Sequence, residues 1–127
     1  MYIIYLQEED MKKDSKYPVI AHLNEAANDN LLLFLEKLRN GVGSGYDYST
    51  GCFWGELDDF DRSHTDKFEG LLIETESGEK AVVSFEEICY YLNILLDRCQ
   101  LSNSNKEKAR EIIQQLKSNA AEKQSQS

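Results

Sequence analysis

A chain of 127 residues, 41% hydrophobic and 29% charged, has the composition of one globular domain and the length to bury a core without cross-links. Its formal net charge of −9 argues against direct binding to nucleic acid or an anionic membrane, which need lysine and arginine clusters absent here. The acidic balance instead favours solubility and steers the protein toward a basic partner.

Cys52, Cys89 and Cys99 form no Cys-x-x-Cys pair, and the last two lie in an apolar helical pattern, as expected in a reducing compartment. Residues 1–6 are apolar but lack a basic flank and end at Gln7-Glu8-Glu9-Asp10, too short for a signal-peptide core. No run approaches the ~18 apolar residues of a membrane span. The expected location is cytoplasmic.

In chain order, residues 1–6 read as a short strand, followed by a charged loop through residue 16. Pro18 suits the first turn of a helix, with Val19, Ile20, Leu23, Ala26 and Ala27 at helical spacing behind it. Asn28-Asp29-Asn30 either interrupts this helix or caps a second one, whose stripe of Leu31, Leu32, Phe34, Leu35 and Leu38 stops at Gly41. Residues 41–51 read as a loop, 52–57 as a strand and 56–66 as an acidic connection. A hairpin follows at about 67–83, with strands 67–75 and 80–83 about a turn at 76–79.

Ser84 and Glu87 have the spacing of a capping box, ahead of Phe85, Ile88, Cys89, Leu92, Leu95, Leu96 and Cys99 on one helical face. Ser104 and Glu107 repeat the box before Ala109, Ile112, Ile113 and Leu116. The expected fold is α+β, a small antiparallel β-sheet packed by three to four α-helices. It forms a single domain over residues 1–119, with a flexible polar tail at 120–127.

Catalytic motifs fail on inspection. Gly41-Val42-Gly43-Ser44-Gly45 follows a helix rather than a strand and lacks the lysine of a phosphate-binding loop. A calcium loop started at Asp59 places His64 where glycine is needed and Gly70 where glutamate is needed. His22 and His64 are the only histidines, and no serine or cysteine has a recognisable base partner nearby. No catalytic residue, metal ligand or cofactor is assigned.

Charge placement is more informative. Between Asp47 and Glu79 ten acids face only Arg62 and Lys67, and ten less two leaves −8 of the net charge in the middle third. Tyr46, Tyr48, Phe53, Trp54 and Phe60 lie in or beside that stretch. Aromatic anchors inside a charged rim are the composition of a protein-binding patch. For Phe53 and Trp54 burial in the core is the simpler reading. The run Asp58, Asp59 and Asp61 has no evident structural use in sequence and points to function.

Lys67-Phe68-Glu69-Gly70 enters a strand, Glu79-Lys80-Ala81-Val82-Val83 leaves the turn, and Ser84-Phe85-Glu86-Glu87 opens a helix running to Tyr90-Tyr91-Leu92. Across residues 54 to about 96 these features resemble immunity proteins of bacterial contact-dependent growth inhibition systems, particularly those acting against ribonuclease toxins. The resemblance implies binding to the basic C-terminal nuclease domain of a cognate toxin, as a heterodimer rather than a homo-oligomer. Clustered carboxylates would then cover the toxin's phosphate-binding site. The expected toxin-binding residues are Tyr46, Tyr48, Trp54, Glu56, Asp58, Asp59, Asp61 and Glu69. Two alternatives differ. One is an adaptor using Glu86, Glu87, Tyr90, Tyr91 and Asn93 on the main helix. The other is a metal-dependent enzyme using Asp59, Asp61 and His64.

Overall fold

The computed structural model describes residues 2–12 and 17–125, with side chains as far as residue 118. In order, these form α1 (Tyr17–Asp29), α2 (Leu31–Arg39), β1 (Ser44–Gly45), β2 (Ser49–Cys52) and α3 (Asp59–Ser63). They continue with β3 (Leu71–Thr75), β4 (Lys80–Val83), α4 (Phe85–Arg98) and α5 (Asn103–Ser125), and short 3-10 turns lie at Glu8–Asp10 and Trp54–Glu56. The strands make one antiparallel sheet in the order β1-β2-β3-β4, so the fold is α+β as the sequence predicts.

Helix ends follow local chemistry. The Asn30 side chain accepts from the Leu33 N–H at 3.1 Å, so the asparagine cluster both ends α1 and caps α2. After α2, Gly41 takes φ +71, letting Val42 N–H reach the Lys37 carbonyl at 2.9 Å and Gly41 N–H the Leu38 carbonyl at 3.2 Å. That paired arrangement closes a helix that an L side chain at Gly41 would strain. Ser84 caps α4 by accepting from Glu87 N–H at 3.1 Å. The last helix begins two residues before the predicted box, because Ser102 rather than Ser104 accepts from an amide one turn on, that of Asn105.

Helix α1 packs across β2, β3 and β4, while α5 packs against both α2 and α4. Strand alternation sends Ser49, Gly51, Leu71, Ile73, Ala81 and Val83 into this helical layer, where all are buried. Thr50, Glu74, Lys80 and Val82 point the other way and are exposed. Tyr91, expected on an exposed face of α4, is instead only 1% exposed, and its hydroxyl accepts from Lys12 N–H at 2.9 Å. The rest of the α4 stripe and Ala109, Ile112, Ile113 and Leu116 of α5 are core residues, apart from the half-buried Phe85.

Three expectations shift. Residues 2–6 do not join the sheet. Asn24 Oδ1 accepts from the Tyr5 and Leu6 N–H groups at 3.0 and 2.9 Å, and Asn24 Nδ2 donates to the Leu6 carbonyl at 3.0 Å. Asn28, one turn further along α1, pairs both ways with Ile3 at 2.8 and 2.6 Å. Side-chain amides thus replace a neighbouring strand. Arg98 adds bonds to the Tyr5 carbonyl at 2.6 Å and to both Asp10 oxygens at 2.6 and 2.8 Å. The Arg98 bonds, aided by the Gln7 N–H, hold the Asp10 carboxyl down at about 2.

The second shift is in the sheet. The strand predicted at 52–57 runs instead over Ser49–Cys52, with only Cys52 shared and the other three residues inside the expected loop, because Phe53 N–H donates to Glu56 Oε1 at 2.9 Å and turns the chain. The strand predicted from 67 starts at Leu71, since the last sheet partners on either side are Cys52, opposite Leu72, and Val83, opposite Leu71. The third concerns the tail. Residues 120–125 continue α5, as expected physically for Ala, Ala, Glu, Lys and Gln extending an already nucleated helix. Residues 13–16 of the predicted charged loop and 126–127 of the tail lie outside the described residues.

Replacing Asn24 by alanine leaves three backbone groups near the core without partners. We expect a loss of about 2–3 kcal/mol in urea unfolding, with faster amide exchange at Tyr5 and Leu6 than elsewhere. Unchanged exchange at those two amides would mean the segment is held by Leu6 packing alone.

Candidate protein-binding face

The acidic run folds into α3, a short helix at the end of the sheet where β2 leaves it. Asp58 is its N-cap, accepting from Asp61 N–H at 2.8 Å, and Asp59 and Asp61 sit in the first turn near the positive end of the helix. So the cluster has a structural use that the linear sequence conceals. Asp58, Asp59 and Asp61 all remain exposed, and so does Glu69 on the chain leading into β3.

The aromatics beside them divide by environment. Trp54 is half-buried, edge-on to Phe68 at 5.5 Å, with the Arg62 guanidinium 5.9 Å from its ring. Arg62 Nη2 also donates to the Gly55 carbonyl at 3.1 Å, so this cation is turned onto the turn preceding α3. Phe53 is buried and stacks on Phe85 at 5.7 Å. Phe60 is different. It is 69% exposed, with the His64 ring 4.3 Å away on the same helical face.

The outer face of the sheet continues this corner. Cys52, Leu72 and Val82 lie side by side across β2, β3 and β4, the first two half-buried and Val82 exposed. Glu56, Glu74 and Asp61 are the acids whose charge acts on Cys52. Burial first, and then these three charges, push the Cys52 thiol above its ordinary value. Among the described residues the one ion pair within 4 Å joins Arg98 to Asp10, so no acid of the α3 corner is neutralised by direct pairing.

Glu56 has a different role. Its Oε1 accepts from Gly43 N–H and Phe53 N–H, both at 2.9 Å, fastening the segment before β1 to the turn after β2. Although exposed, it is a structural clasp. Tyr46 and Tyr48 lie at the opposite end of β2, beside the β3–β4 turn, whose Glu76 N–H bonds the Tyr48 carbonyl at 2.8 Å. Three residue steps along β2 separate the two ends by roughly 10 Å. The eight residues predicted to form one surface therefore fall into two groups. Trp54, Glu56, Asp58, Asp59, Asp61 and Glu69 are at the α3 end, and Tyr46 and Tyr48 at the hairpin end. Phe60, absent from the predicted set, belongs to the first group. Its i, i+4 spacing to His64 was readable in sequence, but its exposure was not.

The hairpin end is built over a buried polar chain. Glu25 Oε2 accepts from Tyr48 N–H at 3.0 Å, and Glu25 Oε1 accepts from the Ser49 hydroxyl at 2.6 Å. With the Ser49 proton committed, its oxygen accepts from His22 Nδ1 at 2.8 Å, which places the ring proton on Nδ1. Tyr46 is half-buried against this histidine at 5.3 Å, and burial chiefly raises its phenol. It is a packing residue, whereas Tyr48 is 65% exposed. His22 is fully buried, its Nε2 has no hydrogen-bond partner, and burial pulls its pKa down to about 4. Nε2 faces Gly51, where a Cβ would stand only 2.9 Å away. The triad order for nucleophilic catalysis is not met, since serine rather than histidine occupies the centre of this buried chain.

Among the described residues no group of three or more His, Cys, Asp or Glu is placed to hold a metal ion, and His64 Nδ1 lies 2.9 Å from both Ser63 Oγ and the Phe60 carbonyl. No helix among them is long and apolar enough to cross a membrane. All three cysteines are free, with Cys89 and Cys99 buried. Comparison of the chain with protein-family models, curated proteins and solved structures gives no match.

His22 makes stability depend on pH. Its folded value of about 4 lies below the ordinary 6.5, so below 6.5 the unfolded chain binds the extra proton. Stability is full above that point and falls as pH drops toward about 4, by on the order of 3 kcal/mol across the window. Urea midpoints measured from pH 7.5 to 4 should trace this loss. His22→Gln should flatten it relative to the parent, and an equally steep profile in that variant would assign the loss to other groups.

Proposed function

We propose that this protein is an immunity protein, binding a basic ribonuclease toxin domain in the cytoplasm and neutralising it through the acidic α3 corner. The observation that carries the reading is a set of exposed carboxylates, Asp58, Asp59, Asp61 and Glu69, none of them in an ion pair among the described residues, on the same corner as an exposed aromatic. A ribonuclease holds its substrate's phosphates with basic side chains, and a cluster of carboxylates matches that charge pattern. With a net charge of −9, opposite-sign steering raises the association rate toward ~10⁸–10⁹ M⁻¹s⁻¹ at low salt. Rapid capture matters for an inhibitor whose target cuts RNA at each encounter. The two partners would form a heterodimer with the toxin's C-terminal domain.

Glu56 is left out of the recognition set because one of its oxygens clasps two segments together, Gly43 before β1 and Phe53 after β2, whereas Asp58 accepts a single bond within its own helix. Tyr48 at the far hairpin would add a contact only to a partner that spans the outer face of the sheet.

The triple variant Asp58→Asn, Asp59→Asn and Asp61→Asn tests the reading, since asparagine keeps the N-cap at position 58 and with it the fold. Calorimetry against the C-terminal domain encoded immediately upstream should show at least a tenfold loss of affinity at low salt. The loss should shrink as salt rises, with the melting temperature unchanged. Equal affinity for parent and variant would remove α3 from the interface.

A further inference from the structure

Phe60 is the most exposed of the large hydrophobic side chains in the described residues, yet it does not sit on a loose loop. Asp58 caps the helix that carries it, with Asp61 N–H donating at 2.8 Å. The His64 ring lies 4.3 Å from the Phe60 ring, and Ser63 Oγ donates to the Phe60 carbonyl at 2.7 Å. Arg62, on the same turn, is fastened to the Gly55 carbonyl and to the face of Trp54. An aromatic held in this way loses little conformational freedom when a partner covers it. Aromatic side chains fixed at the centre of a patch are the ones whose truncation costs most in binding.

We infer that Phe60 is the anchor of the interface, entering an apolar pocket on a protein partner whose rim carries lysine or arginine side chains. This rests on the reading of the α3 corner as the toxin-binding face and names the residue that fixes the complex once charge has brought it together.

Charge decides the occupant. Asp59 and Asp61, the neighbours of Phe60 in the same helical turn, are exposed, so a surface that buries the ring comes within a Debye length of both carboxylates. A second copy would bring the same two acids and its own −9 against them, and like charges in contact oppose that dimer. An RNA strand or an anionic bilayer is excluded by the same sign. A basic protein surface pairs with the acids while its apolar pocket takes the ring. In that arrangement the carboxylates chiefly set the association rate and its salt dependence, and Phe60 chiefly sets the lifetime of the complex.

The experiment is surface-plasmon kinetics with the upstream-encoded C-terminal domain as probe, using the full chain, Phe60→Ala, Phe60→Leu and the triple asparagine variant. Phe60→Ala should lose about thirtyfold or more in affinity, nearly all as a faster off-rate, while its salt dependence stays that of the parent. Phe60→Leu should lose less, since it keeps part of the apolar volume. The triple asparagine variant should do the opposite, with a slower on-rate and a flatter salt dependence. Because the ring is exposed, the melting temperature of Phe60→Ala should match the parent, which separates a lost anchor from a damaged fold. Parent-like off-rates in Phe60→Ala, with the triple variant still impaired, would overturn the anchor and leave the acidic face standing. A parent chain that does not bind the probe would overturn both.

Discussion

Helix α1 holds the sheet and the N-terminal segment through hydrogen bonds from four of its own polar side chains. On one side Glu25 and His22 reach Ser49 and the Tyr48 backbone, and on the other Asn24 and Asn28 grip residues 3–6. Leu23 and Ala26, wholly buried on the same helix, supply the apolar contact that keeps water out. Where these bonds are buried, at Leu6 and Ser49, a polar group left without a partner costs more than a satisfied one contributes, so they select one docking position for each segment. His22 Nε2 is the one atom of the set without a hydrogen bond, and it rests against the backbone of Gly51, where only hydrogen substitutes for a side chain.

With α1 packed across β2, β3 and β4 on one side, the opposite sheet face is left exposed at Thr50, Glu74, Lys80 and Val82. The half-buried Cys52 and Leu72, together with the exposed Val82, lie on that face, bordered by Glu74 and by the α3 corner. The sheet is therefore a platform whose inner surface makes the core and whose outer surface is partly exposed. Four strands, one of them only two residues long, suffice because stability resides in the helical layer they pack against.

Crowding carboxylates onto one corner costs repulsion, and local structure offsets part of it. Asp58 contributes a cap, Asp59 and Asp61 lie at the favourable end of a helix, and Glu56 is hydrogen-bonded to two backbone amides. The charges that remain unpaired face solvent, where screening keeps the cost small in the free protein. Their interaction would become strong only where that solvent were excluded. The same residues thus serve the fold and leave a field that extends outward from it.

Local signals were legible in the sequence wherever a residue acts on its own neighbours. The Asn30 and Ser84 caps, the Gly41 stop, the strand Lys80–Val83 and the buried stripes of α4 and α5 all depend on contacts within a few residues. Composition likewise determined that the middle third carries a strong negative charge. Tertiary structure alone decided matters of partnership. A run of apolar residues at 2–6 reads as a strand until asparagines some twenty residues away take its backbone bonds. The spacing of Tyr46, Tyr48 and Asp58 in sequence says nothing of the strand that drives them to opposite ends of a sheet. Nor does an aromatic carry its own exposure. Trp54 is half-covered because Phe68 and Arg62 pack on it, whereas Phe60 stands in water, and such contacts across loops obey no periodicity that a linear reading can detect.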